Sequence, residues 1–442
     1  MASRRGVRDL TLGVVGLALA VAAVVPPRGP PPAARSARTG GAAPATVDDA
    51  GQTSEGRTVT PPVASLAATS AGRDGPPGFA GSDVRPGRLE RDPVRRVVRA
   101  STPVSPRTGR RSLTIAVTGD ILPHLPVQAA ARRADGSYDF RPLLRGVGGP
   151  IRAADLALCH LEVPLTRDRA DLSGYPVFGA PDQLADALAD VGYDGCSVAS
   201  NHALDRGVAG VGATLRALDR AGLGHTGTAR SRREARRPPL YRVRGSRIAH
   251  LSYTYGLNGA VVPADRLWAV NLIDPRRILR DARRVRRRGA DLVLVSLHWG
   301  TEYITTPTPS QRRLAGRLLA SAAVDALIGH HAHVVQPVAR RHGKVVVYGL
   351  GNLLSNQSAA CCRAATQDGV VVRLGVRERR DGTLRIRDVA YVPTMVRHPQ
   401  RRVVAVRRVL RRGGASGTYA AQLRASLRRT RRAIGDGATL TD

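Results

Sequence analysis

Aromatic side chains are scarce in this 442-residue chain, with three Phe, two Trp and ten Tyr. Lysine is almost missing, Lys344 being the only one. Single-stranded nucleic acid is bound by basic grooves interleaved with aromatic platforms, so the shortage of stacking residues argues against a nucleic-acid partner. The net charge of +35 would otherwise invite that reading. It is carried by Arg spread through the whole chain, the pattern that a GC-rich genome tends to encode. Such charge still favours anionic polymers or acidic lipid headgroups outside the cell.

Cysteine is equally sparse: Cys159, Cys196, Cys361 and Cys362. None has zinc-knuckle spacing, which sets thiolate ligation aside. Cys159 and Cys196 lie inside apolar runs and read as buried free thiols, although an exported chain would permit disulfides. Cys361-Cys362 sits in a loop, where it can bridge internally or to another chain. One long apolar run, Leu10 to Val25, counts 16 residues, just under the ~17 that span a bilayer. Arg4, Arg5 and Arg8 precede it and small residues punctuate it, as in a secretory signal. Residues 1–25 are therefore expected to be a signal peptide or, alternatively, an N-terminal membrane anchor. Either makes the protein secreted or extracytoplasmic, with membrane association through the N-terminus in the second case. No Cys follows the run, which speaks against a lipoprotein anchor. Residues 26–110, rich in Pro, Ala, Gly and Arg, cannot bury enough apolar surface to offset their ordering entropy and read as a disordered spacer.

What the chain does have is a recurrence. Five apolar runs end in carboxylate, amide or imidazole: Ile115 to Asp120, Leu156 to Glu162, Cys196 to His202, Leu292 to His298 and Leu327 to His333. Continuous apolar runs bounded by Gly and polar residues read as fully buried strands. Their C-terminal ends share a crevice in α/β sheets. Oxygen and imidazole ligands converging there suit Mn, Fe, Zn or Mg. Helical spacing between these strands, at Leu125–Arg133, Pro181–Gly192, Gly210–Gly222, Pro275–Arg288 and Gln311–Ala322, indicates βαβ units. After Gly369 the pattern becomes two alternating strands around Asp381-Gly382, a hairpin signal. The expected organisation is one large α/β domain over 111–396 and a basic C-terminal extension, 397–442, with a terminal helix from Thr418 to Ile434.

Gly119-Asp120, Leu161-Glu162, Ala199-Ser-Asn-His-Ala-Leu-Asp205, His298-Trp-Gly-Thr-Glu-Tyr303, Gly329-His-His-Ala-His333 and Gly349-Leu-Gly-Asn352 resemble, in order and context, the motifs of the CapA-type family. These are poly-γ-glutamate capsule-synthesis proteins of the calcineurin-like metallophosphoesterase superfamily. The resemblance covers roughly Leu113 to Pro393 and implies a layered β-sheet core with flanking helices. It also implies one or two divalent metal ions held by Asp120, Glu162, Asn201, His298, His331 and His333, with Glu162 at the bridging position. His202 would donate to a leaving or phosphoryl oxygen as the catalytic group. His331 and His333 alternate along what reads as an extended segment, so both rings should leave one side. Asp120 after Gly could instead cap a helix, which Pro123 makes awkward.

The chain also departs from the superfamily pattern. Leu122 stands where simpler phosphoesterases have a histidine ligand, and His124, two residues on, could substitute. His160 replaces a common Asn, leaving ligation, substrate contact and a structural role open. Glu302 reads as loop or substrate contact, and Asn352 as part of a backbone turn that could support the site. The function implied is that of an exported protein of capsule or envelope-polymer biosynthesis with a metal-dependent hydrolase site. The alternative is a non-catalytic envelope protein that binds or tethers an anionic polymer.

Overall fold

The computed structural model describes residues 110–442 and the short strand Val94–Arg96. The expected leader, 1–25, and nearly all of the expected spacer, 26–110, lie outside the described residues. Within that spacer, Val94–Arg96 form an edge strand paired in parallel with Leu240–Arg242.

The chain then builds β1 (Ser112–Leu122), α1 (Leu125–Ala131), β2 (Leu156–Leu161), α2 (Gln183–Val191), β3 (Gly195–Ser197), α3 (Gly207–Arg220) and β4 (Gly224–Thr226). It continues through β5 (Leu240–Val243), β6 (Ser246–Thr254), α4 (Pro275–Arg287), β7 (Leu292–His298), α5 (Pro309–Leu319), β8 (Ala326–His330), β9 (Val338–Arg341) and β10 (Lys344–Val347). Last come β11 (Asn352–Ser355), β12 (Asp368–Glu378), β13 (Leu384–Arg397), β14 (Arg402–Ala405) and α6 (Gly417–Ile434).

These strands form two sheets rather than one. The first runs β14-β13-β12-β1-β2-β3-β4, with β11 joined to β1; the second runs from the 94–96 strand through β5-β6-β7-β8-β10-β9. The continuous apolar strands explain why: both faces of each must be covered. Ile115, Val117, Leu156, Leu158, Val370 and Val372 pack against Ile248, Leu292, Leu294, Ile328 and Val345 from the other sheet. The outer face of the first sheet takes Leu184 and Leu188 of α2 and Leu215 and Leu218 of α3. That of the second takes Ile278 and Val285 of α4 and Leu318 and Leu319 of α5. The result is a four-layered α/β/β/α core, in which each fully buried Leu, Ile or Val contributes about 1.5–3 kcal/mol.

Local signals explain the boundaries. Asp274 caps α4, its side chain accepting from Arg276 N ahead of Pro275 at the first turn. Thr308 and Gln311 form a capping box on α5. Gly192, at φ +112°, ends α2 in the left-handed region. The hairpin expected at Asp381-Gly382 joins antiparallel β12 and β13, with Gly382 at φ +76°. Strand β13 runs across the expected boundary at 396/397, β14 pairs with it, and Ile434 of α6 enters the core between the sheets. The C-terminal extension is thus part of the same packed unit. No helix among the described residues is long and apolar enough to cross a membrane.

Cys159 and Cys196 correct the reading of free thiols: they are register partners on adjacent β2 and β3 and form a disulfide. Cys361 and Cys362 are not disulfide-bonded, and Cys361 is exposed.

Candidate metal centre

Strand register brings the polar ends to a common level. Asp120 of β1 is the partner of His160 on β2 and of Asn352 on β11. On the second sheet, His298 of β7 is aligned with His330 of β8 and with Thr254 of β6. The two sheets therefore present their C-terminal edges to each other, and the residues expected at strand ends converge from both.

Four overlapping groupings place ligand atoms within 4.8 Å of one another: Asp120 with His160 and His330; Glu162 with His298 and His331; Asp120 with Glu162 and His333; and Glu302 with His331 and His333. His333 Nδ1 lies 3.2 Å from Asp120 Oδ2, and its Nε2 lies 3.7 Å from Glu162 Oε1. His298 Nε2 is 3.6 Å from the same Glu162 oxygen and 2.8 Å from Asn201 Oδ1. Glu162 is thus shared between the Asp120 side and the His298 side. His160 joins the two halves, its Nε2 3.0 Å from His298 Nδ1 and its Nδ1 2.8 Å from Ser197 Oγ.

The backbone at the end of β8 differs from the expected extended segment. The strand stops at His330, and His331 and His333 adopt φ of +86° and +54°. Left-handed conformations at non-glycine residues cost free energy and persist where the surroundings over-determine them. Here the turn lets His331 N donate to Asp120 Oδ2 at 3.1 Å. The two rings still face the site, although alternation is not what puts them there.

Glycines admit this close approach. A Cβ on Gly119 would lie 2.0 Å from the Gly351 carbonyl oxygen, which accepts from Asp120 N at 2.9 Å. Gly351 itself sits at φ +67°, so the turn at Gly349-Leu-Gly-Asn352 needs glycine there. Asn352 then supports the cluster: its Oδ1 lies 3.0 Å from His333 Nδ1, and its Nδ2 donates to Thr366 O at 2.9 Å. A fixed partner on the far nitrogen orients a ligating imidazole.

The electrostatics fit a cation. Burial alone would push the Asp120 carboxyl up, but His330 and His333 hold it well below the usual carboxylate range. Burial pushes the Glu162 carboxyl well above it, with the Asp120 charge adding to the effect. Burial holds His160 and His298 well below the ordinary imidazole value and His331 down to about 3. For His333, burial is outweighed by Glu162 and Asp120, which push it up to about 10. Several buried polar atoms are orphaned: Asp120 Oδ1, both Glu162 oxygens, both His330 ring nitrogens and His331 Nδ1 have no hydrogen-bond partner. His330 Nδ1 is 3.2 Å from Asp120 Oδ1 without hydrogen-bond alignment. Buried polar atoms are normally partnered. Two buried carboxyl groups beside imidazoles, with unpartnered atoms on Asp120, Glu162, His330 and His331, suit a divalent cation, which would favour the charged form of Glu162.

At the rim, His202 Nδ1 lies 2.7 Å from Asp205 Oδ2, which also accepts from Phe178 N at 2.7 Å. This leaves His202 Nε2 for substrate. Asp120 does not cap α1; His124 occupies that position, without a side-chain cap bond. His124 Nδ1 is 2.9 Å from the Leu122 carbonyl oxygen, its ring edge meets Phe178, and it joins none of the four ligand groupings.

Sequence reasoning missed three participants. His330 lies in the Gly-His-His-Ala-His motif but was passed over, because period-two spacing selected 331 and 333. Tyr255 follows β6, whose end carries no carboxylate, amide or imidazole, and its ring centroid is 4.6 Å from that of His331. Asn258, three residues on, accepts from Asn201 Nδ2 at 3.1 Å.

Residues 114–357 match the model of a family described as bacterial capsule synthesis protein PGA_cap. The capsule biosynthesis protein CapA of Bacillus anthracis is 27% identical over 289 residues, covering 63% of this chain and 67% of that protein. The PGA biosynthesis protein CapA of Bacillus subtilis is 27% identical over 295 residues, covering 65% of this chain and 74% of that protein. Among solved structures, the calcineurin-like phosphoesterase YfkN from Bacillus subtilis is similar at 13% identity and a TM-score of 0.39, over 73% of this chain and 97% of that one. The NAD nucleotidase NadN of Haemophilus influenzae is similar at 12% identity and a TM-score of 0.42, over 76% of this chain and 58% of that one. This chain therefore spans little more than half of that nucleotidase.

Proposed function

Because the chain belongs to the bacterial capsule synthesis protein family, we propose that it is an exported protein that processes or handles an anionic envelope polymer at a divalent-metal centre. The observation that carries this reading is the convergence of two buried carboxyl groups and five imidazoles, among which Asp120 Oδ1, both Glu162 oxygens, both His330 nitrogens and His331 Nδ1 have no hydrogen-bond partner. Asp120, Glu162, Asn201, His160, His298, His330, His331 and His333 would hold one or two cations of the Mn, Fe, Zn or Mg type. A bound cation supplies Lewis-acid polarisation and charge neutralisation to an ester or amide under attack.

The chain's own residues do the rest. His202, anchored through Nδ1 by Asp205, presents Nε2 to a leaving oxygen and delivers a proton there. Tyr255, half-exposed over His331, bounds the entrance and offers a face for the substrate. The Cys159–Cys196 disulfide supports an oxidising compartment, in keeping with export through the N-terminal apolar run.

Metal analysis of the purified protein, followed by assay on bis(p-nitrophenyl) phosphate with and without chelator, tests the reading. Bound divalent metal with chelator-sensitive turnover is expected. Bound polymer without turnover would move the chain to the tethering alternative. Absence of metal at saturating Mn, Zn and Mg would defeat the metal centre.

A further inference from the structure

We infer that a cleft between α6 and the segment following Tyr303 is a subsite for the carboxylate groups of an anionic polymer, separate from the metal ligands. This rests on the reading that the chain handles such a polymer, and assigns where a strand of it lies. The cleft has a volume of ≈ 540 Å³ and is walled by Thr305, Val335 and Ala365 on one side and Arg428, Thr430 and Arg432 of α6 on the other.

Three observations point to an anionic occupant. First, Arg428 and Arg432 are exposed, one helical turn apart, and neither makes an ion pair among the described residues. Residues at this spacing lie on one helix face. The guanidinium between them, Arg429, is already committed to Asp368 through bonds of 2.7 and 2.9 Å, so the cleft keeps two uncompensated positive charges. Second, Thr430 is 1% exposed, lines the cleft, and its Oγ1 has no hydrogen-bond partner. A buried hydroxyl without a partner costs free energy, and an acceptor oxygen in the cleft would satisfy it. Third, the walls are tied to the metal centre. Gln336 Nε2 donates to Ile304 O at 2.7 Å, Thr366 O accepts from Asn352, and Asn352 contacts His333. Guanidinium forks pair well with carboxylates, and the apolar walls at Val335 and Ala433 accommodate the methylenes of a polyamide backbone.

The test measures binding of fluorescein-labelled poly-γ-glutamate to the full chain by anisotropy. R428A/R432A should weaken binding roughly tenfold. R276A/R280A removes the same charge from exposed positions on α4 and should change it about twofold at most, as general screening would. T430V should weaken binding several-fold without lowering Tm, since the hydroxyl has no partner in the protein to lose. Metal content and turnover of bis(p-nitrophenyl) phosphate should be unchanged in all three variants. Equal losses in both double variants would reduce the effect to the overall field and overturn the subsite, as would absence of polymer binding by the parent. Stronger Arg428- and Arg432-dependent binding to phosphatidylglycerol vesicles than to polymer would replace it with a lipid surface. Polymer binding that depends on Arg428 and Arg432 in a protein that lacks turnover would leave the subsite standing and count only against hydrolysis.

Discussion

Replacing Glu162 by Gln separates a metal centre from a merely polar core. Both Glu162 oxygens are buried and unpartnered, and burial holds its carboxyl well above the usual carboxylate range. Exchanging the carboxyl for an amide of the same shape breaks no hydrogen bond within the protein and should shift the stability of the metal-free protein by no more than about 1 kcal/mol. The loaded protein behaves differently. At free metal ~100-fold above Kd, binding stabilises by about 2.7 kcal/mol. That corresponds to a Tm increase of roughly 5 °C for a domain of this size. Glu162 faces both the Asp120–His333 and the His298–His331 groups, and its loss as a charged ligand should cut affinity enough to remove most of that increase. Differential scanning fluorimetry of chelated and reloaded parent and E162Q reads both quantities. If E162Q keeps the full metal-induced rise, Glu162 is not a ligand. If its metal-free form melts many degrees lower, the carboxyl has a structural partner and the reasoning from orphaned oxygens fails.

Replacing His202 by Ala should abolish phosphodiester turnover, by 10²-fold or more, while metal content measured by plasma emission stays at the parent value; parallel loss of metal would make His202 a ligand. Gly351→Ala places a Cβ 2.3 Å from Asp368 O at a backbone with φ +67°, so it should cost about 1–3 kcal/mol in urea unfolding and loosen Asp120, visible as weaker metal binding. Cys196→Ser opens the Cys159–Cys196 link, with a sequence separation of 37 residues; loop entropy gives about 4 kcal/mol, and thiol titration of the native parent should find only Cys361 and Cys362.

The site was legible in sequence because its chemistry sits at strand ends. A long apolar run must be buried, and the polar residue that stops it marks where the strand reaches the edge of its sheet. Asp120, Glu162, Asn201 and His298 are singled out in this way, and the structure brings them together; the hairpin at Asp381-Gly382 is read from turn chemistry. Residue patterns one turn or one strand long also fixed the helices, because periodicity and caps are local.

Two-sheet packing was not legible, because apolar runs look the same whether neighbours come from one sheet or two; which faces meet depends on contacts between distant segments such as Ile115 and Leu294. The turn after His330 is likewise a tertiary outcome. The sequence offered alternation at His331 and His333, but the Asp120 carboxylate accepting from His331 N holds a left-handed backbone there, while strand register sets His330 beside His298. Cys159 and Cys196 became a disulfide because the register of β2 on β3 sets them opposite each other. The sequence by itself determined which groups this protein has available, their burial and the strand ends that carry them. Only the tertiary structure decided which of them touch, because register and sheet packing are set by interactions that no local window contains.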